Sequence, residues 1–262
     1  MKSVLITGAY GGMGRKTAEH LRDSGYLVFA LDKTVGAPEP GIIPVEADVT
    51  DEASILAAYN QVLATTDSLY AIVHFAGIYM LDSLVEMEGE HFSRMFEINV
   101  FGAYRINKTF LPLLKKGSRI LITTSELAPL DPLPFTGLYA ITKSTLDKYA
   151  YSLRMELQLL GISVSVLRAG AVDTDMIGAS TRALDDFCSG TALYSCNADR
   201  FKKIVDGVEA RRIPPEKLAR KAGKIVKAKS PRFAYSINRN PLLLLLNALP
   251  KRLQLWIIRK IL

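Results

Sequence analysis

Tyr139 and Lys143 stand four residues apart in Tyr139-Ala140-Ile141-Thr142-Lys143, so on a helix both side chains share one face, a turn apart. A tyrosine hydroxyl ordinarily keeps its proton until about pH 10, too high for a base at neutral pH. A lysine ammonium about 5 Å away, at an effective dielectric of about 20, favours the phenolate by roughly 3 kcal/mol, about two pH units. The spacing therefore predicts a phenol drawn into the range of general acid–base chemistry. Such a pair also occurs on ordinary helix surfaces, and Ser125 is what gives it meaning. Ser125 ends an apolar run ahead of Tyr139, where its hydroxyl can hold an oxygen while Tyr139 exchanges the proton.

A second constellation opens the chain. Thr7-Gly8-Ala9-Tyr10-Gly11-Gly12-Met13-Gly14 follows a strand-like run and leads into a helix candidate. Glycines there let the backbone turn sharply and approach a pyrophosphate, whose charge the helix N-terminus stabilises. Asp32, at the end of the second apolar run, can accept hydrogen bonds from an adenosine ribose and would repel a 2′-phosphate. This predicts NAD as the cofactor. Lys33 beside it can serve a phosphate, so NADP stays open. Asp48-Val49, after the third run, reads either as a contact to the adenine or as a cap ahead of Asp51.

The elements that must position these residues are legible as alternation. Apolar runs at Val4–Thr7, Leu27–Leu31, Ile42–Val45, Tyr70–Phe75, Arg119–Thr123 and Ser163–Leu167 read as strands, with a last one at Arg232–Ile237. Helix candidates cover about 12–24, 51–65, 88–114 and 138–160, with Asp51 and Ser54 as a start and Gly161 as a stop. The fold predicted is α/β: a single Rossmann-type, doubly wound parallel sheet over residues 1–262. Residues 171–198 show no clear period, and 171–212 is expected to be an irregular substrate lid, with helix resuming near 199–209. An apolar, basic extension spans 238–262.

Together these residues make the chain resemble the short-chain dehydrogenase/reductases, over essentially all of residues 1–237. The turn matches at Thr7, Gly8, Gly12 and Gly14, the strand end at Asp32, and the Asp-Val pair at Asp48 and Val49. The resemblance implies a catalytic set of Asn99, Ser125, Tyr139 and Lys143, with Asn99 positioning a lysine-bound water in a proton relay. It implies cofactor contacts from Met13, Ala76, Gly77, Tyr139, Lys143 and Thr174, the last at the carboxamide, and an oxidised nicotinamide as a second positive charge near Tyr139. Three departures stand out. His74-Phe75-Ala76-Gly77 replaces an Asn-Asn-Ala-Gly pattern, so His74 is expected to replace the sheet hydrogen bonds of the missing Asn. Ala169-Gly170 replaces Pro-Gly, which leaves the backbone there less constrained. The Ser–Tyr interval is one residue longer than the commonest one in that family, and Asp131-Pro132-Leu133-Pro134 absorbs the difference.

The bulk numbers fit a globular enzyme. The 262 residues are 49% hydrophobic and 23% charged, without repeats, which argues against disorder or a fibre. Two cysteines and three scattered histidines give neither a disulfide framework nor a metal site. The run after Met1 is too short for a secretory leader, so a cytoplasmic protein is expected. The net charge of +7 is uneven, for residues 200–262 carry 17 Lys/Arg against 3 Asp/Glu. No apolar run reaches the roughly 20 residues that would span a bilayer. The tail is read as closing a subunit interface or substrate pocket in a homodimer or homotetramer, or as a peripheral contact to an anionic membrane; nucleic acid is not expected. Met176, Ile177, Leu184, Phe187, Leu193 and Tyr194 make the lid apolar, with Arg182 its main cation. The expected substrate is a small-molecule apolar alcohol or ketone, steroids first. Two alternatives are carried forward: an NAD(H)-binding regulatory or scaffold protein without turnover, and an enzyme for a small polar alcohol, sugar or acyl substrate.

Overall fold

The computed structural model describes residues 1–262. The side chains at 175–177, 179, 180, 208 and 209 lie outside the described residues, and with them the expected lid contacts of Met176 and Ile177. In chain order the elements are β1 (Ser3–Thr7), α1 (Gly12–Asp23), β2 (Leu27–Asp32), β3 (Ile42–Glu46), α2 (Glu52–Leu63), β4 (Leu69–His74), α3 (Gly89–Phe96), α4 (Gly102–Phe110), β5 (Leu114–Ser125), α5 (Gly137–Leu157) and β6 (Ser163–Ala169). There follow α6 (Asp175–Gly190), α7 (Ser195–Glu209), α8 (Pro215–Lys227), β7 (Ala234–Ile237), α9 (Pro241–Ala248) and α10 (Lys251–Ile261).

Among the described residues, seven parallel strands form one sheet in the order β3-β2-β1-β4-β5-β6-β7. Unalternating apolar strands make sense because both faces are covered. On one face Leu5, Phe29 and Ile72 pack with residues of α2, α4 and α5. On the other, Val4, Ile6 and Val28 pack with residues of α1 and α8. The strand order reverses between β1 and β4, which opens a crevice at the carboxyl ends of the strands. Every candidate site residue lies at or near that edge.

Local signals explain the helix ends. The Asp51 carboxylate accepts the Ala53 N–H at 2.9 Å and caps α2, while Ser54 Oγ accepts the Asp48 N–H. Gly161 closes the turn after α5 at φ 71°, a left-handed conformation that suits glycine.

Two expectations fail. Residues 88–114 are not one helix: a π turn at Glu97–Phe101 separates α3 from α4, and a short 3-10 turn follows at Leu111–Leu113. The lid is not irregular either, because α6 and α7 form a helical pair. Their apolar stripe closes only in three dimensions. Leu184, Phe187 and Phe201 bury against Leu81 and Phe135, which arrive from distant segments.

Candidate active site

Gly8 turns the chain out of β1 at φ +66°, and a Cβ there would lie 2.6 Å from the Ala76 nitrogen. A Cβ on Gly14 would lie 2.0 Å from the Gly8 carbonyl oxygen, and one on Gly12 only 2.6 Å from Thr174 Cγ2. The glycines thus keep open the floor of a cavity of about 1100 Å³ running past Met13, Asp32, Asp48, Val49, Ala76, Gly77 and Thr174. Gly11 caps α1 without a side chain, and the first turn has no acidic residue, so the positive end of that helix faces the cavity. This cradle fits a dinucleotide. Its width, its free helix terminus and a carboxylate at the end of β2 are what a pyrophosphate and a ribose require.

The carboxylate of Asp32 accepts the Tyr10 N–H and its neighbour Lys33 N–H, each at 2.8 Å. Lys33 does not point to a free anion site: its Nζ pairs with Asp48 Oδ2 at 2.8 Å. That ammonium, with the Thr50 hydroxyl, holds the Asp48 carboxyl down to about 2. Asp48 and Val49 line the cavity, while the helix cap itself is Asp51. Thr7 is fully buried beneath the cavity, where its hydroxyl accepts the Ala76 N–H at 3.3 Å. It joins the ends of β1 and β4 beneath the site.

Ser125, Tyr139 and Lys143 meet in a second cavity of about 220 Å³, which shares Met13, Phe75, Gly77, Tyr79 and Thr174 with the first. β5 delivers Ser125 at its last residue, and the first turns of α5 deliver Tyr139 and Lys143 on one face. The Ser125 hydroxyl, which accepts the Leu127 N–H at 3.2 Å, lines this cavity together with the Tyr139 phenol. Lys143 Nζ sits 5.6 Å from the centre of the Tyr139 ring. Asn99 is buried in the π turn, where its side chain brackets residue 78, accepting the Ile78 N–H at 2.8 Å and donating to the Ile78 carbonyl at 3.0 Å. It also donates to Thr142 Oγ1 at 3.2 Å, one residue before Lys143. A Cβ on Gly77 would lie 3.0 Å from Asn99 Oδ1 and 3.4 Å from Lys143 Nζ, so the four side chains and the glycine form one compact group.

Residues 2–185 match the short chain dehydrogenase family. The chain belongs to that family. It is 33% identical over 192 residues to mouse estradiol 17-beta-dehydrogenase 2, which covers 68% of this chain but only 50% of that protein. The chain therefore spans about half the length of that relative. It is 26% identical over 231 residues to a 3-ketodihydrosphingosine reductase of Bacteroides thetaiotaomicron, covering 88% of this chain and 85% of the relative. A solved structure of 3-ketoacyl-(acyl-carrier-protein) reductase from Brucella melitensis complexed with NADH shares the fold, with a TM-score of 0.74, 22% identity and coverage of 90% and 96% of the two chains. The fold of this family takes a nicotinamide cofactor.

The short-chain dehydrogenase departs from expectation in its electrostatics. Burial raises the Tyr139 phenol above the ordinary tyrosine value, and nearby Tyr79 adds to this, while Ser125 opposes it. Burial also brings Lys143 down to about 8. In the protein alone desolvation outweighs the attraction expected of the Tyr139–Lys143 pair. His74 does not restore sheet hydrogen bonds: its Nε2 donates to Asn107 Oδ1 at 2.8 Å, and Asn107 passes a bond to the Tyr149 hydroxyl at 3.1 Å. Nor is the backbone at Gly170 loose. Its N–H donates to Ile237, and a Cβ would lie 1.9 Å from the Asn238 carbonyl oxygen.

The lid residues also part company. Leu184, Phe187 and Tyr194 pack the lid itself, Leu193 is exposed, and Arg182 lines the larger cavity. Phe201, Ile204, Val205 and Leu243 line the smaller one instead, with Leu133 and Glu126. Sequence reasoning missed these. The spacing of Phe201, Ile204 and Val205 at one face of a helix was the available signal.

Proposed function

We propose that this short-chain dehydrogenase transfers a hydride between NAD(H) and the carbonyl or secondary-alcohol carbon of an apolar substrate such as a ketosteroid or hydroxysteroid. The observation that carries it is the convergence of Ser125, Tyr139 and the buried Lys143 in the wall of the smaller cavity, where it shares Met13, Gly77 and Thr174 with the larger. When bound, the nicotinamide supplies or accepts the hydride at its C4. Ser125 holds the substrate oxygen. Tyr139 gives that oxygen a proton in reduction and takes it back in oxidation. Lys143 holds a positive charge that offsets the developing phenolate, and Asn99 fixes residue 78 and Thr142 around it. Asp32 holds the adenosine ribose, Thr174 the carboxamide, and the glycine turn the pyrophosphate.

The walls favour an apolar substrate. Phe201, Ile204, Val205, Leu243 and Leu133 present hydrocarbon, and each such side chain fully buried contributes about 1.5–3 kcal/mol. The related estradiol and ketodihydrosphingosine enzymes carry names of apolar substrates. Tyr139→Phe tests the catalytic reading, since it removes the proton and little else. It is expected to lower kcat by about 10²–10⁴-fold with cofactor affinity nearly intact. Wild-type turnover in that variant would sink the proposal, and NADH binding without turnover of any ketone or alcohol would favour the regulatory alternative.

A second reading concerns the surface on which the enzyme works. In α10 the buried residue is Gln254, while Leu255 and Trp256 are 67% and 58% exposed. In α9 Leu242 and Leu245 are each 63% exposed. Arg239, Lys251, Arg252, Arg259 and Lys260 accompany them, with no acidic residue from 239 to 262. Apolar side chains turned outward among cations of which only Lys251 has a salt bridge among the described residues suit a peripheral contact with an anionic membrane better than a self-complementary subunit interface. No helix among the described residues is long and apolar enough to cross a membrane. A homodimer or homotetramer built through other faces is compatible with this reading.

A further inference from the structure

Glu126 is the acidic side chain in the wall of the smaller cavity, among the described residues. It follows Ser125 directly and is 7% exposed. Its backbone N–H extends the β5–β6 ladder to the Ala169 carbonyl at 2.9 Å, which fixes where the side chain begins. Its Oε2 accepts the Asn240 N–H at 2.5 Å. Its Oε1 faces Gly170, where a Cβ would lie 2.9 Å away, and accepts no hydrogen bond from the chain among the described residues. Burial raises its pKa, opposed by the Asn240 N–H and by the charge of Arg239.

A largely buried carboxylate with one oxygen unpaired by the chain is costly unless something pairs with it. The Asn240 bond is enough for a structural tether, since it fixes the start of α9, but a tether needs only one neutral acceptor. A carboxyl group with its second oxygen turned to a ligand cavity has the chemistry to bind a cation. Apart from the hydroxyl-bearing side chains and Lys143 the wall is hydrocarbon, and Glu126 is its acidic position among the described residues, which leaves it to recognise a cationic head.

On the reading of the site given above, we propose that Glu126 binds a protonated amine on the substrate. The cavity then takes amphiphilic amino ketones or amino alcohols, since Glu126 and Ser125 line the same cavity. The hydrocarbon part lies against Ile204, Val205 and Leu243.

Three ketones of equal chain length test this: a 2-amino-3-ketone, a 2-hydroxy-3-ketone and a plain 3-ketone. Glu126→Gln keeps an acceptor for the Asn240 N–H and removes the charge. The ratio of kcat/KM for the amino ketone to that for the plain ketone is expected to fall about tenfold in this variant, and the ratio for the hydroxy ketone to stay level. Equal loss on all three ketones would make Glu126 a tether only and overturn the proposal, as would wild-type indifference to the amine. Calorimetry with a 2-amino-3-alkanol gives a readout without turnover. Glu126-dependent binding of that amine alongside absent ketone reduction would remove the oxidoreductase reading and keep this one. Binding of the 3-alkanol as tight as that of its 2-amino analogue would remove this one and leave the oxidoreductase reading standing.

Discussion

Lys33 Nζ and Asp48 Oδ2 close a 2.8 Å salt bridge between the ends of β2 and β3, at the edge of the dinucleotide cradle. The bridge occupies the cation that lies closest in sequence to Asp32, the residue placed to meet a ribose. A 2′-phosphate would face the Asp32 carboxylate and would have to draw Lys33 away from Asp48. NADH is therefore expected to bind at least about tenfold more tightly than NADPH, a difference of about 1.4 kcal/mol. Asp48→Asn frees Lys33 and should narrow that gap, and Asp32→Ala should narrow it further. Fluorescence titration with both reduced cofactors reads this directly. Equal affinities in the wild type would take Asp32 and the bridge out of cofactor selection.

What could be read from the sequence divides along a physical line. Tyr139 with Lys143, the Gly8–Gly14 turn and the strand-end Asp32 depend on contacts within one or two elements, and the fold brings them where their spacing suggests. The lid helices depend on Phe135 and Leu81, distant in sequence, to bury Leu184, Phe187 and Phe201. Their polar and glycine-rich context hides the period until those partners arrive. The direction of the Tyr139 shift was hidden for a related reason. A charge pair is visible as a spacing, whereas the desolvation that outweighs it comes from the whole surrounding fold.

His74 makes a pH prediction. It is 4% exposed, and burial lowers its pKa to about 4 despite the bond to Asn107. Above pH 6.5 the imidazole is neutral in both folded and unfolded chains and contributes no pH dependence. Between 6.5 and 4 the unfolded chain takes a proton that the folded one refuses, so stability falls as the pH falls. Below about 4 both are protonated and the loss levels off. The shift corresponds to about 3 kcal/mol lost across that window. Urea unfolding of the wild type and His74→Asn at pH 7, 5.5 and 4 should show a shallower fall in the variant. Parallel curves would place the acid sensitivity elsewhere.

Glu86 fastens the turn between α6 and α7. Its carboxylate accepts the Thr191 hydroxyl at 2.7 Å and the N–H groups of Ala192 and Leu193 at 2.9 and 3.0 Å. These bonds, with the Thr191 hydroxyl, hold its carboxyl below the usual range, with the Leu193 N–H the largest contributor. Because α7 carries Phe201, Ile204 and Val205 to the substrate cavity, loosening its start should disturb substrate binding before it disturbs the sheet. Glu86→Ala is expected to raise KM several-fold while kcat and the melting temperature change little, and to speed hydrogen exchange at residues 192 and 193. Unchanged exchange at those two amides would show that the turn holds itself without Glu86.

The α9–α10 surface makes the last prediction. Leu242, Leu245, Leu255 and Trp256 point outward, and Gln254 turns inward to donate to the Leu249 carbonyl at 2.8 Å and the Asn247 carbonyl at 3.3 Å. Lys251 is already paired with Asp131, which leaves Arg239, Arg252, Arg259 and Lys260 as the cations without a salt bridge among the described residues. Each basic residue near an anionic leaflet contributes about 1 kcal/mol, so these four with a few inserted leucines give reversible binding. Vesicles containing phosphatidylserine should carry the protein through flotation, while phosphatidylcholine vesicles carry far less and about 0.5 M salt releases it. Trp256 is the chain's single tryptophan, so its emission should shift to the blue on binding and report this surface alone. Replacing Leu255 and Trp256 with Ser should abolish flotation and leave turnover of a water-soluble ketone intact. A protein that ignores anionic vesicles, yet whose Trp256 emission shifts to the blue as its own concentration rises, would assign the surface to a second copy of the chain instead.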